Sequence, residues 1–233
     1  MSIHLENVTK NYNELRVVDG LNIDFSKNNI HCFFGPSGCG KTTLLNIITG
    51  ITPPDQGVVK GVQNKRFSYL FQEDRLFPWA TAEANIRFVL ESHYQKSEVQ
   101  RRIDKYLHLV NLQDFRHHYP HHLSGGMKQR MAIARAFAYG GDILVLDEPF
   151  KGLDSERKRI LIDYILGYWE KQYETVFFIT HDSEEAIYMA DYIYIWRGPP
   201  LALQKVIKVT MPTKDRYERQ KEFKRYKEVL AAN

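Results

Sequence analysis

The sequence has 233 residues, of which 43% are hydrophobic and 26% are charged, and its formal net charge is +4. These values are ordinary for a folded globular protein and exclude wholesale disorder; so mild a positive charge does not indicate nucleic-acid binding and equally suits a surface that faces anionic lipid. Apolar runs such as Ile143 to Leu146 fall far short of the ~18 residues that a membrane span needs. Two cysteines argue against a disulfide framework and for a reducing cytosol, and we expect no secretory signal at the N-terminus.

Short strands with alternating apolar residues open the chain. Two of them, joined through a polar turn at residues 11–14, predict an antiparallel β layer ahead of the first buried strand. The apolar positions are Ile3, Leu5 and Val8 in one strand, and Leu21, Ile23 and Phe25 in the other.

A glycine-rich loop between a buried strand and a helix is the most informative motif. It follows the apolar run Ile30 to Phe34 and fits G-x-x-x-x-G-K-[ST], in which backbone N–H groups and a helix N-terminus converge on phosphate oxygens. Lys41 is expected to reach the β- and γ-phosphates, and the Thr42 hydroxyl to bind Mg²⁺. We interpret Cys39 as a tolerated small residue rather than a redox switch. The residues predicted to hold the phosphates are Gly35, Pro36, Ser37, Gly38, Cys39, Gly40, Lys41, Thr42 and Thr43.

The middle of the chain changes from strands to helices. The helix after the loop ends at Gly50, a turn precedes a strand at Val58-Val59, and a further strand covers Arg66 to Phe71. Residues 82–111 have helical periodicity, which suggests a helical lobe set into an α/β core. Another helix follows residues 123–126 and stops at Gly140-Gly141.

The last third of the chain alternates strands and helices in the manner of a parallel sheet. The predicted fold is therefore α/β, with a parallel sheet, an N-terminal antiparallel β layer and an inserted α-helical subdomain, and the phosphate loop makes it a P-loop NTPase (RecA-like) core. The predicted elements are strand 143–147, helix 155–170, strand 176–180, helix 183–190 and strand 192–196. The predicted division is a core of about 1–72 and 140–212, a helical subdomain of about 73–139 and a C-terminal helix of about 214–231, all in one domain.

Two adjacent carboxylates end the buried strand Ile143 to Asp147. We expect this strand to lie beside the phosphate-loop strand, so that both acids reach the nucleotide. Asp147 suits Mg²⁺ ligation through water, and Glu148 suits the general base that deprotonates the attacking water. An Asp-Glu pair alone is more often a simple strand end, but behind a complete phosphate loop the catalytic interpretation is favoured.

The segment Leu123-Ser-Gly-Gly-Met-Lys-Gln-Arg130 resembles the signature sequence of ABC ATPases, and it lies where that family has it, between the phosphate loop and the acidic pair. A serine hydroxyl and glycine N–H groups at a helix start can form an anion site. The resemblance implies that Ser124, Gly125 and Gly126 close on the γ-phosphate held by a second copy of the chain, in a head-to-tail dimer with two ATP molecules between the subunits.

Other family marks are matched residue by residue. Gln72 resembles the Q-loop glutamine, which touches Mg²⁺ or the attacking water, and His181 resembles the switch histidine at the γ-phosphate. Asp154 belongs to a segment similar to the D-loop, and Tyr12 lies where the family stacks an aromatic ring on adenine, although simple packing is the alternative for Tyr12. Departures are few. Relatives often carry Ser-Ala where this chain has Lys151-Gly152, and glutamine in place of Met127.

The segment Gln72 to Trp79, followed by Asn85-Ile86, is similar to ATPase subunits of bacterial importers for nitrate, sulfonate, taurine and related solutes. The resemblance places Phe71 to Trp79 where a permease coupling helix docks. An exposed Leu-Phe-Pro-Trp loop makes sense as one side of an interface. The alternative is that Trp79 and Leu76 pack within the helical lobe.

The resemblance implies an ATP-binding and ATP-hydrolysing subunit that uses ATP and Mg²⁺ and powers solute uptake. Its partners would be a second copy of itself, integral membrane permease subunits and, indirectly, an extracytoplasmic solute-binding protein, with no nucleic acid. Its place would be peripheral, on the cytoplasmic face of the membrane. The serious alternative is the ATPase of an exporter or lipid-extracting system. A soluble ABC ATPase acting on DNA or ribosomes, and a regulator without turnover, fit less well, the latter because Glu148 is present.

Two further features have a structural and a functional interpretation. His117, His118, His121 and His122 suggest a metal site, but they lack a carboxylate or cysteine framework and a histidine-rich loop is the simpler interpretation. The charged stretch 214–230 predicts an amphipathic helix that packs on the core or, alternatively, contacts lipid or nucleic acid. Its apolar side consists of Tyr217, Phe223, Tyr226 and Leu230.

Overall fold

The computed structural model describes residues 2–172, 175–212, 216 and 219–231. Its elements follow one another as strands first, then mostly helices, then alternating strands and helices. They are β1 (Ile3–Tyr12), β2 (Leu15–Phe25), β3 (Ile30–Phe34), α1 (Lys41–Ile48), β4 (Gln56–Lys60), β5 (Phe67–Leu70), α2 (Ala82–Leu90), α3 (Lys96–Leu109), α4 (Gly125–Tyr139), β6 (Ile143–Asp147), α5 (Ser155–Gln172), β7 (Thr175–Thr180), α6 (Ser183–Met189), β8 (Tyr192–Arg197), β9 (Ala202–Lys208) and α7 (Gln220–Ala231), with short 3₁₀ turns at Gln113–Phe115 and Pro120–His122.

Two sheets form the framework. A three-stranded antiparallel sheet has the order β2-β1-β4, and a six-stranded sheet has the order β5-β6-β7-β3-β8-β9. In the larger sheet all neighbours are parallel except β8 and β9. The expected α/β fold with a parallel sheet and an antiparallel layer is therefore confirmed.

The strand that carries the acidic pair is not beside the phosphate-loop strand, and that expectation was wrong. β7 lies between β6 and β3, pairing Asp147 with Ile179 on one side and Thr180 with Phe34 on the other. Parallel strands nevertheless end at the same edge of the sheet. The ends of β3, β6 and β7 therefore still converge on one site, one strand wider than predicted.

The larger sheet is buried on both faces. Alternate residues of each central strand point to opposite sides, because side chains in a strand have a period of two. On β7, Phe177 packs with the antiparallel sheet and α1, whereas Phe178 packs with the helices on the other face. Near-continuous apolar strands are what such double burial requires. The sheet therefore holds its polar strand ends in a rigid layer.

The strands and helices differ from the prediction in a few places. β1 and β2 are longer than expected, with a turn only at Asn13-Glu14, and the helical region is divided into α2 and α3. Thr81 starts α2 by accepting a hydrogen bond from the Ala84 N–H. β9 was not predicted, because nearly all of its side chains are exposed and only Ile207 is buried, which leaves no alternating pattern.

The C-terminal helix packs on the core as the structural interpretation expects. Leu230 is buried, and Phe223 and Tyr226 are partly buried against the main hydrophobic cluster. Lys227 forms an ion pair with Glu184 of α6 (2.6 Å). The predicted contribution of Tyr217 and the predicted start near residue 214 lie outside the described residues.

We expect His31 to make the protein less stable at acidic pH. His31 on β3 is fully buried, with Nε2 2.7 Å from the Ser26 carbonyl oxygen and Nδ1 3.2 Å from the Tyr194 hydroxyl. Burial lowers the pKa of His31 from 6.5 to about 4, partly opposed by the Ser26 carbonyl. As the pH falls below 6.5, the unfolded chain takes up a proton on His31 before the folded protein does. The free energy of unfolding therefore decreases as the pH falls from 6.5 towards 4, by about 2 kcal/mol between pH 7 and 5.

Chemical denaturation at pH 7 and 5 measures this loss. The variant His31→Phe is the comparison, since it keeps an aromatic ring among Phe25, Phe177 and Tyr192 but cannot take up a proton. It should lose about 2 kcal/mol less than the wild type between the two pH values. Equal losses in both proteins would contradict the assignment to His31.

Candidate functional site

The glycine-rich loop adopts a conformation that only glycines allow. Gly35, Gly38 and Gly40 have φ angles of +155°, +81° and +110°, which side chains other than hydrogen rarely permit. A Cβ atom at Gly35 would lie 2.3 Å from the Trp196 carbonyl oxygen. The loop leads directly into α1, and Gly40 provides no side-chain cap for that helix. The N–H groups of the first turn therefore remain available to an anion.

The Lys41 ammonium lies inside this loop. Its Nζ donates to the carbonyl oxygens of Gly35 (2.9 Å) and Pro36 (2.7 Å) and lies 3.6 Å from the Cys39 sulfur. Lys41 is 6% exposed and Cys39 is buried. None of these contacts is to an acidic group. The loop therefore presents a cation together with backbone N–H donors.

Asp147 and Thr42 meet at the end of the sheet. The Thr42 hydroxyl donates to Asp147 Oδ2 at 2.9 Å, across the β7 strand that separates their elements. Burial raises the pKa of Asp147, and the adjacent Glu148 adds to the rise, whereas the Thr42 hydroxyl opposes it. Hydroxyl and carboxylate oxygens are the ligands that Mg²⁺ prefers, in small number beside phosphate and water. This pair therefore fits the predicted metal position.

Glu148 contacts two other predicted catalytic side chains, those of Gln72 and His181. Gln72 Nε2 donates to its Oε2 at 3.1 Å, and His181 Nδ1 lies 3.5 Å from its Oε1. Lys151 Nζ lies 3.4 Å from the same Oε2, a contact that the sequence did not predict. Glu148 has a φ of +49°, rare for a residue with a side chain, and its N–H donates to the Ile179 carbonyl. The backbone is thus fixed where its carboxylate is needed.

Hydrogen bonds and ion pairs hold the backbone next to His181 in place. Next to it, Asp182 caps α6 by accepting from the Glu184 N–H at 2.8 Å. Lys158 of α5 pairs with Asp182 (3.3 Å) and with the buried Glu185 (2.6 Å). The His181 side chain is 66% exposed. The structure therefore holds its backbone firmly and leaves the imidazole open towards the site.

The serine and glycines at 124–126 start α4. Ser124 accepts a hydrogen bond from the Met127 N–H (3.3 Å), and no acidic residue lies in the first turn. A Cβ atom at Gly125 or Gly126 would meet nothing within 4 Å. The helix start is exposed and uncovered, which is the geometry of an anion site that another molecule can complete.

A cavity of about 350 Å³ separates this helix start from Glu148. Its lining includes Gln72, Gly125, Gly126 and Lys151, and Gln129 of α4 bonds across its base to the Pro149 carbonyl (3.0 Å). No described residue of the phosphate loop lines it. Residues 124–126 therefore do not border their own chain's phosphate loop through this cavity.

Tyr12 and Asp154 are placed less distinctively. The Tyr12 ring at the end of β1 is 45% exposed, with the Lys10 ammonium 5.7 Å from its centre. Asp154 accepts a hydrogen bond from the Arg157 N–H (2.9 Å) at the start of α5 and pairs with the Arg157 side chain (3.3 Å). Helix capping accounts for Asp154 locally. A nucleotide contact for either residue stays a prediction.

An aromatic surface lies apart from these residues. Trp79 is 76% exposed and Phe88 is 67% exposed, with the ring of Phe77 between them at 5.5 and 4.8 Å. Leu76 packs against the core. The packing alternative is therefore right for Leu76 and wrong for Trp79.

Asn85 makes the Trp79 loop rigid. This fully buried amide accepts from the Phe77 N–H (2.8 Å) and donates to the carbonyl oxygens of Phe77, Ala80 and Thr81. A buried side chain with all of these bonds fixes the backbone around it. These hydrogen bonds therefore hold the loop in the conformation in which Trp79 is exposed.

A cavity of about 470 Å³ adjoins the aromatic surface, with Phe71, Phe77 and Phe88 in its lining. Arg75 stacks on Phe71 at 4.0 Å, and Arg135 donates to the carbonyl oxygens of Asp74 and Arg75. Aromatic residues and arginine are the types enriched at protein interfaces. We name Phe71, Arg75, Phe77, Trp79, Phe88 and Arg135 the aromatic groove.

The histidine cluster lies on the surface of the protein. His117, His118, His121 and His122 are all exposed, and the His121 ring stacks on Tyr119 and meets His122 edge-on. Within the part of the chain that the structure describes, no group of at least three histidine, cysteine or acidic residues could hold a metal ion. A histidine-rich loop without a metal stays the simpler prediction. No described helix is long and apolar enough to cross a membrane.

Known proteins align with nearly the whole chain. The family model for ABC transporters matches residues 18–151, a range that contains the phosphate loop, residues 124–126 and the acidic pair. An aliphatic sulfonates import ATP-binding protein of Bacillus cereus is 36% identical over 98% of this chain and 93% of its own length. An uncharacterized ABC transporter ATP-binding protein of Methanocaldococcus jannaschii is 37% identical over 91% of this chain and 83% of its own.

Solved structures show the same likeness. A dimeric bacterial ABC transporter cassette superposes with a TM-score of 0.81 at 28% identity, and a dimeric cassette in a post-hydrolysis state, bound to ADP and phosphate, superposes with a TM-score of 0.80 at 26% identity. Each covers 90% of this chain and 100% of that structure's chain. The chain is similar to these proteins in fold.

Proposed function

Because this chain belongs to the ABC transporter family and is an ATPase that couples hydrolysis to transport, we propose that it is the ATPase of a bacterial importer. It powers uptake of a small solute of the nitrate, sulfonate or taurine class through a separate permease. The observation that carries this proposal is the aromatic groove with its exposed Trp79, an apolar surface that a free protein does not need. The sulfonate import relative supports the solute class.

The residues at the sheet edge have separate roles in ATP hydrolysis. The loop N–H groups and Lys41 bind the phosphates and stabilise the charge that develops during transfer. Glu148 accepts the proton of the attacking water, and Gln72 and His181 orient that water and the γ-phosphate. Thr42, Asp147 and Gln72 would hold Mg²⁺, which when bound neutralises phosphate charge. Tyr12 stacks on adenine.

A second copy of the chain completes the site. We propose a head-to-tail dimer in which Ser124, Gly125 and Gly126 of one subunit bind the γ-phosphate on the phosphate loop of the other, with Asp154 at the interface. Two features support this arrangement: the helix start at 124–126 is exposed, and its own cavity does not reach its own phosphate loop. The related cassettes are dimeric.

The permease docks at the aromatic groove, which places the ATPase peripherally on the cytoplasmic face of the membrane. The groove lies between β5 and the helices α2 and α4, so we propose that residues of about 73–139 act as a helical subdomain that the permease moves against a core of about 1–72 and 140–212. A solute-binding protein acts indirectly, through the permease. The alternative role is the ATPase of an exporter or a lipid-extracting system.

We expect Trp79→Ala to uncouple the ATPase from its permease. In proteoliposomes that contain the permease, the solute-loaded binding protein should stimulate ATP hydrolysis by the wild type and leave the variant near its basal rate. Interface aromatic residues of this kind contribute about 2 kcal/mol or more, a loss of at least roughly 30-fold in affinity. Hydrolysis by the detached subunit should be unchanged, since Trp79 does not contact the phosphate site.

The matched control is Ile160→Ala on α5, which removes another apolar side chain, 63% exposed, away from the groove. Its coupling should equal that of the wild type. Full stimulation of Trp79→Ala would contradict the docking assignment. Stimulation by an intracellular substrate instead of a loaded binding protein would favour the exporter alternative.

A further inference from the structure

Lys151 lies against the carboxylate that the proposed chemistry depends on. Its Nζ is 3.4 Å from Glu148 Oε2, and the Lys151 N–H donates to the Glu148 carbonyl at 3.3 Å, so a single tight turn fixes the pair. The Glu148 side chain is 13% exposed and that of Lys151 is 61% exposed. The ammonium is therefore the more exposed member of this ion pair.

The other groups around Glu148 leave this position to Lys151. Gln72 donates to the same oxygen but is neutral, and His181 lies at the other oxygen. Lys41 is engaged with loop carbonyls. Among the described residues, Lys151 is the lysine or arginine that forms an ion pair with Glu148.

Glu148 needs such a partner because Asp147 precedes it. Two neighbouring carboxylates repel each other. A free Glu148 side chain would turn away from Asp147 towards water. The turn that carries Lys151 opposes this by placing a cation beside the cavity shared with Gln72 and Gly126.

We propose that Lys151 is a positioning residue that holds the Glu148 carboxylate beside Gln72 and His181, where it accepts the proton of the attacking water. This inference rests on the proposed role of Glu148 as general base. It gives a function to Lys151-Gly152, one of the segments where the sequence departs from the family pattern. The ion pair orients the base, so we expect its loss to lower kcat and to leave the affinity for ATP unchanged.

The test is steady-state ATP hydrolysis by Lys151→Met and Lys151→Arg. We expect Lys151→Met to lower kcat about two- to five-fold, the size of a partly exposed ion pair, with KM for ATP unchanged. Lys151→Arg should restore most of the rate. Near 1 M salt, where the Debye length falls to about 3 Å, the ratio of wild-type to Lys151→Met rates should approach one.

Lys221→Met on α7 controls for the change in net charge and should behave as the wild type at every salt concentration. A Lys151→Met variant with unchanged or raised kcat, with a raised KM instead, or with a deficit that salt does not diminish, overturns the proposal. A raised kcat would identify Lys151 as a restraint on the base. The base assignment is tested separately by Glu148→Gln, so a failure of either idea is recognisable on its own.

Discussion

Glu148→Gln is expected to keep ATP binding and to lower turnover by about 100-fold or more, the usual contribution of a general base. The amide has the shape of the carboxylate and can still bond to Gln72, but it cannot take a proton from water. Lys41, Thr42 and the loop N–H groups are untouched, so nucleotide affinity should stay near that of the wild type. Since hydrolysis no longer separates the subunits, ATP should also trap the dimer, which size-exclusion chromatography measures.

The same substitution at an exposed acid provides the control. Glu156 in the first turn of α5 is exposed, and Glu156→Gln should hydrolyse ATP at the wild-type rate. Robust turnover by Glu148→Gln would remove Glu148 from the role of base. Loss of nucleotide binding in that variant would instead mean that the carboxylate supports the fold of the loop.

The local parts of the site could be predicted from the sequence because each follows from short-range chemistry. The phosphate loop needs glycines at positive φ, and the order strand, loop, helix is written in adjacent residues. The order of the strands in the sheet could not be predicted. β3, β6 and β7 are all short apolar runs buried on both faces, so nothing in their composition says which two are neighbours.

Contacts that depend on tertiary structure could not be predicted from the sequence either. Lys151 was visible only as a departure from a resemblance, and its pairing with Glu148 depends on a turn with a positive φ at Glu148. Trp79 and Leu76 are close in sequence and equally apolar, yet one is exposed and the other packed. The buried amide of Asn85 decides between them, because it fixes the loop conformation from eight residues away.

The composite site leads to a prediction in which two inactive variants rescue each other. Lys41→Ala removes the ammonium from the phosphate loop, and Gly126→Asp places a carboxylate at the exposed helix start that would face the partner's phosphate in the proposed dimer. Each alone should lose hydrolysis by about 100-fold or more, since each removes or opposes stabilisation of transition-state charge. The Gly126 substitution should not disturb folding, because a Cβ atom there meets nothing within 4 Å.

Mixed in equal amounts, the two variants should recover hydrolysis. A mixed dimer has one site with both defects and one with neither, because the intact phosphate loop of the Gly126→Asp subunit faces the intact residues 124–126 of the Lys41→Ala subunit. With random pairing, about a quarter of all sites are intact, which sets the ceiling on recovered activity. Gly167→Asp on α5, another exposed helical glycine with free space, is the matched control and should be active alone. If each subunit instead completed its own site, mixing would restore nothing, because every chain would carry its own defect.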